Sequence, residues 1–120
     1  MTTTLESLES LICEHFETTR YHLWANTRKK EVITARHTFF YMAYKFTKKS
    51  LNEIGQWSPN KFDHATVLHG KKKIAGWIDI HDRETTENIW RLEAKLNATE
   101  VSRSKILINH FNLLKMCEQV

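Results

Sequence analysis

Apolar residues recur along this chain every three or four positions and strict alternation is absent, a pattern that predicts helices and no strands. Leu5, Leu8, Leu11, Ile12 and Phe16 put one apolar stripe on a first helix over 5–16. A break at Thr18-Thr19 leaves 20–24 for a single short turn of helix. A long third helix is expected over 27–46, with Thr27 as its N-cap. Its apolar positions Val32, Ile33, Ala35, Phe39, Phe40, Met42, Ala43 and Phe46 wrap so widely that it should be the most buried element.

The next stretch carries stronger local signals. Ser50 followed by Glu53 three residues later is a capping box, and it opens a short amphipathic helix over 51–57. Ser58-Pro59-Asn60-Lys61-Phe62 reads as a turn, and Asp63 as the N-cap of a helix reaching about residue 78, where a carboxylate satisfies free N–H groups and suits the helix dipole. Two helices joined by a tight turn, the second opening on polar residues, are the layout of a helix-turn-helix, whose second helix enters the major groove of DNA. Beyond residue 80, Ile89, Leu92 and Leu96 mark a helix over 84–96. After Asn97, Val101, Leu107, Ile108, Phe111, Leu114 and Met116 mark another over 100–117. The expected architecture is an all-α helix-turn-helix bundle over 1–80, with an appended C-terminal helical hairpin over 81–120 that packs on the same core or oligomerises.

Length and composition narrow this further. At 120 residues the chain supports one domain with a real core, and 41% hydrophobic with 27% charged residues is ordinary globular stock. No apolar run is long enough to span a bilayer, and the first ten residues hold acids and no basic side chain, unlike a signal or transit peptide. Cys13 and Cys117 are far apart and lack metal spacing, which suits buried thiols in a reducing compartment; a cytoplasmic protein is expected, without a membrane.

Charge changes the picture most. The formal net charge of +4 conceals −4 over 1–19, +9 over 20–78 and −1 over 79–120. The surplus therefore sits in the segment that holds the helix-turn-helix, the electrostatic footprint of a phosphate-binding surface. Catalytic and metal chemistry fit poorly. The seven histidines are scattered, and His64 and His69, five apart, do not share a helical face as a metal pair would. Cys13-x-His15 has no second half, and Asp79-Ile80-His81-Asp82 falls at a helix end, where its acids read as caps. No Gly-x-x-x-x-Gly-Lys-Ser/Thr loop is present, so no nucleotide and no cofactor are expected. Trp24, Trp57, Trp77 and Trp90 read as core, while an exposed Trp57 beside the turn would mark a contact.

Three blocks then make a family visible: Asn26-Thr27-Arg28-Lys29-Lys30-Glu31-Val32-Ile33-Thr34-Ala35-Arg36-His37, Ser50-Leu51-Asn52-Glu53-Ile54-Gly55, and Asp63-His64-Ala65-Thr66-Val67-Leu68-His69. On these, residues 8–78 resemble the C-terminal DNA-binding domain (domain IV, TrpR-like) of the bacterial replication initiator DnaA, in which Asp-His-Thr-Thr-Val opens the recognition helix. The resemblance implies a double-stranded DNA partner and a short asymmetric box. It places Arg28, Asn52, Asp63, His64 and Ala65 at bases, with Arg28 in the minor groove, and Lys30, Arg36, Thr47, Lys49, Ser50, Thr66 and Lys72 at phosphates. The chain departs from the pattern at Phe62, where the family has arginine, at Ala65 for threonine, at Asn52 for proline, and in a turn one residue longer at 58–61. These departures bear on which sequence is preferred.

With no ATPase module in the sequence, the expected protein is a stand-alone reader that regulates replication or transcription, of a kind carried by phages or mobile elements. The alternative is a helical protein-interaction or structural module with residual non-specific DNA affinity, and a homodimer or protein partner through 84–117 goes with either reading.

Overall fold

The structure is a computed structural model and describes residues 3–104. Its elements are α1 (Leu5–His15), α2 (Arg20–Leu23), α3 (Lys30–Phe46), α4 (Leu51–Trp57), α5 (His64–Asp79) and α6 (Arg83–Ser104), and no strand occurs among the described residues. The local signals explain most of the starts. Thr4 and Ser7 form a capping box on α1, Thr19 caps α2, and Ser50 with Glu53 caps α4. Asp63 caps α5, and Asp82 accepts the Thr85 N–H in the first turn of α6.

With few glycines to end helices, the chain uses other residues in the left-handed region. Glu17 (φ 53°) follows α1 and His81 (φ 58°) follows α5. Each closes a Schellman motif: Thr18 N–H bonds the Cys13 carbonyl at 2.9 Å, and Asp82 N–H bonds the Trp77 carbonyl at 2.9 Å.

α3 is the central helix. It packs most extensively on α5 and also touches α1, α2 and α4, while α6 lies against α5 and α1. Its inward face supplies Ala35, Phe39, Phe40, Met42 and Ala43 to a core shared with Leu5, Leu8 and Ile12 of α1 and with Ile54, Val67 and Ile74. Ile89 and Leu92 bring the first turns of α6 into the same cluster. Two polar ties reinforce that docking: His15 Nε2 to Asn88 Oδ1 at 2.9 Å, and Lys45 Nζ to Glu93 Oε2 at 2.8 Å. Trp24 caps the core, in edge contact with Phe39 and Trp57, and its indole N–H donates to the buried Glu9 carboxylate at 2.6 Å.

Three expectations change. Thr27 does not cap α3, which begins three residues later at Lys30 behind an N-cap, Lys29, that makes no side-chain cap bond. The break expected after Asn97 is absent, because α6 continues to Ser104. The rest of the expected second arm, 105–117, and Cys117 lie outside the described residues. Trp24 and Trp57 belong to the core, but Trp77 and Trp90 are exposed. Cys13 is half-buried and free, and burial raises its thiol pKa. No described helix is long and apolar enough to cross a membrane.

Two predictions arise from the packing. A Cβ at Gly76 would meet nothing within 4 Å, and its backbone is ordinary helix. Gly76→Ala should therefore stabilise the protein by about 0.5–1 kcal/mol in urea melts, with DNA binding unchanged.

His37 packs against His69 between α3 and α5. Burial, helped by His69, Lys73 and Arg36, pushes its pKa down from 6.5 to about 4. Because the folded value lies below the unfolded one, the stabilisation is complete above pH 6.5 and is lost as pH falls toward 4. Melts should lose about 1–2 kcal/mol over that range, allowing for partial solvent contact. Between pH 6.5 and 5 the carboxylate caps remain charged, so a flat profile there in His37→Gln would assign the loss to this ring.

Candidate nucleic-acid interface

The turn between α4 and α5 is held from inside. Gly55 allows α4 to run against the backbone of Phe62, and the buried Ser58 hydroxyl donates to the Gly55 carbonyl at 2.7 Å. Lys61, at φ 53°, closes the turn with its N–H on the Ser58 carbonyl at 3.1 Å, while its Nζ donates to the Gln56 carbonyl. Phe62, where the family carries arginine, points inward against Trp24 and Phe40. That side chain is thus half-buried against the core, and Lys61 is engaged on its own turn.

These contacts aim the first turn of α5. Asp63 Oδ1 accepts both the N–H and the hydroxyl of Thr66, at 2.9 and 2.8 Å, and the N–H bond above all holds the carboxyl below its usual pKa. Asp63 Oδ2 makes no hydrogen bond among the described residues and is open to an external donor. His64 and Ala65 are exposed at the same end, with no cap duty. An anionic cap, an imidazole and a methyl group side by side at a helix N-terminus can accept from an exocyclic amine, donate to a purine edge and touch a thymine methyl.

The α3–α4 corner presents a second set. Ser50 N–H bonds Glu53 Oε1 at 2.9 Å and Glu53 N–H bonds Ser50 Oγ at 3.1 Å, so the capping box occupies the serine. That same backbone bond holds the Glu53 carboxyl low. Thr47 is buried, and its hydroxyl donates to the Ala43 carbonyl at 2.6 Å. The structure thus puts Thr47 beneath this corner, where it fixes the chain that displays Lys48, Lys49 and Asn52, all exposed.

On the other side, Arg28, Lys29 and Lys30 are exposed, with Arg28 in the segment before α3. Arg36 is different. Its Nε and Nη2 donate to the Leu23 carbonyl at 3.1 and 2.9 Å, and Nη2 also reaches the Ala25 carbonyl at 2.8 Å. Lys72 and Lys73 are exposed on α5, while Lys71 lies over the Tyr44 ring at 4.8 Å.

Sequence reasoning missed Asn60, whose side-chain amide donates to the Trp24 carbonyl at 2.9 Å and so ties the turn to the α2–α3 connection. An Asn after Pro looks like turn chemistry alone, and only the tertiary contact shows otherwise. Among the described residues no group of three or more His, Cys, Asp or Glu could hold a metal ion.

This geometry defines a helix-turn-helix DNA-binding domain. Comparison with known families matches residues 5–74 to the bacterial DnaA protein helix-turn-helix, and the chain belongs to that family. It is 34% identical over 102 residues to the chromosomal replication initiator protein DnaA of Bacteroides fragilis, covering 83% of this chain and 21% of that protein. It is 32% identical over 93 residues to the protein of the same name from Bacteroides thetaiotaomicron, covering 78% and 19%. A third, from Lachnoclostridium phytofermentans, is 34% identical over 73 residues, covering 61% and 16%. The chain spans about a fifth of the length of the curated relatives it matches.

Proposed function

We propose that this domain reads a short asymmetric DNA box in two grooves and serves as a replication- or transcription-regulatory reader. The observation that carries the reading is the free N-terminal turn of α5, where Asp63 Oδ2, His64 and Ala65 face outward from a helix pinned by its turn. Those three address base edges in the major groove, joined by Asn52 from α4, while Arg28 enters the flanking minor groove, where a narrow A/T tract attracts a guanidinium. Lys30, Lys49 and Lys72 reach phosphates from α3, the α3–α4 connection and α5, and the Ser50 hydroxyl, an acceptor in its capping box, has its own proton to donate beside them.

Anisotropy titration of the box bound by DnaA relatives against a scrambled duplex, at two salt concentrations, tests this. Tight and box-selective binding is expected, and equal binding to both duplexes would overturn specific reading of that box. Lys72→Ala should weaken binding to every duplex alike and flatten the log–log salt slope by about 0.9, one phosphate contact.

The exposure of Trp90 at 69% on α6 supports a second use of that helix, as a contact between two copies of the chain. Sedimentation over a concentration range, with Trp90→Ser as the disrupting variant, tests it.

A further inference from the structure

The segment between α2 and α3 carries Arg28, yet its own bonds are sparse. Thr27 N–H meets the Ala25 carbonyl at 2.9 Å and Lys29 N–H meets Thr27 Oγ1 at 3.3 Å, and Lys29 leaves α3 without a side-chain cap. What holds the segment comes from elsewhere. The carbonyls at the end of α2 have no partner within that helix, a general property of helix C-termini. Leu23 and Ala25 receive the Arg36 guanidinium from α3, and Trp24, between them, receives the Asn60 amide from the helix-turn-helix turn. The guanidinium is also flanked by two rings, Trp24 at 5.9 Å and Phe62 at 5.5 Å, so through Phe62 it touches the turn itself, one residue before the Asp63 cap. A phosphate-gripping arginine directs its fork to solvent; this one commits Nε and Nη2 to backbone carbonyls, and desolvation lowers its pKa.

We infer that Arg36 is a positioning residue which, with Asn60, locks the segment bearing Arg28 to the turn that launches α5, so that the two DNA-reading elements meet the duplex at a fixed separation. Phe62 serves the same lock by offering a ring in place of the family's arginine. The inference rests on the two-groove reading above for its consequence in DNA binding, but the lock itself exists without DNA.

The discriminating variant is Arg36→Lys. It keeps the positive charge, so a phosphate contact would largely survive, but it loses the planar fork and the ring stacking. Two measurements on the full chain separate the outcomes. The first is amide hydrogen exchange without DNA. Exchange over 23–29 should quicken in Arg36→Lys and in the milder Asn60→Ala, while the α1 and α3 core amides stay protected. Unchanged exchange over 23–29 in both variants would overturn the lock.

The second is anisotropy on boxes with A/T and G/C flanks. Both variants should lose flank discrimination by about tenfold, equivalent to roughly 1.4 kcal/mol, with an unchanged salt slope. Wild-type affinity in Arg36→Lys, with a reduced salt slope in Arg36→Met, would instead make Arg36 a phosphate contact and overturn the assignment. A wild-type protein that ignores the flanks altogether would sink the two-groove reading, and exchange would still decide the lock. Global loss of protection in Arg36→Lys alone leaves Asn60→Ala to decide.

Discussion

Gly55→Ala should destabilise the protein by about 3 kcal/mol, although alanine is the better helix former by up to about 1 kcal/mol. A Cβ at this position would fall well inside van der Waals contact with the Phe62 carbonyl oxygen, 3.0 Å from the Phe62 carbonyl carbon and 3.3 Å from Val67 Cγ2. The obstacle is backbone, so no rotamer relieves it. Nor can the backbone retreat freely, because the Phe62 ring is packed on Trp24 and Phe40, Ser58 is bonded to the Gly55 carbonyl, and Asn60 is bonded to Trp24.

Moving Phe62 moves Asp63, and with it the first turn of α5. DNA affinity should therefore fall further than the loss of folded protein alone explains. Urea unfolding at 25 °C, paired with titration under conditions where the variant is folded, checks both parts. A variant as stable as wild type would show that the close approach is not a constraint. Gly70 faces a softer obstacle, the rings of His37 and Phe40 at 2.8 and 2.9 Å, and substitution there should be felt less at the DNA.

Why this glycine was legible only as part of a motif illustrates the limit of sequence reading here. Capping is local chemistry: Ser50 with Glu53, and Asp63 with Thr66, bond within three residues, so α4 and α5 could be placed from the sequence alone. The apolar stripes of α1 and α3 were equally plain. Sequence and fold part company where distant groups decide. Thr27 looks like an N-cap, but the connection to α3 is set by bonds from Arg36, and its hydroxyl serves Lys29 instead. Asn97 looks like a break, yet the penalty of an asparagine in a helix is only about 0.7 kcal/mol, and no Gly or Pro supports a turn there. Within the site distant groups decide as well: the resemblance assigns Arg36 to a phosphate, and the fold bonds its guanidinium to the Leu23 and Ala25 carbonyls beside the Phe62 ring. Trp77 and Trp90 fail in the opposite sense, since bulk apolarity predicts burial and the packing of α5 and α6 leaves them out.

The base-reading end of α5 permits a cleaner test than most contact surfaces, because its structural and reading duties fall on different atoms. His64→Ala removes an exposed side chain at the first position of the helix, where alanine is well tolerated and Asp63 still caps. Stability should be unchanged, while affinity for the preferred box falls by about 1–3 kcal/mol and affinity for random duplex hardly moves. Asp63→Asn sharpens the point. Asparagine caps as well as aspartate, so α5 keeps its start, but one carboxylate oxygen gives way to an amide that donates, and the fixed negative charge is gone. Its melting temperature should hold while its preference among boxes changes. If His64→Ala weakens all duplexes equally, the imidazole is only one more contact to the backbone. If Asp63→Asn leaves the preference intact, Asp63 is a cap and nothing else, and sequence choice must come from His64, Ala65, Asn52 and Arg28.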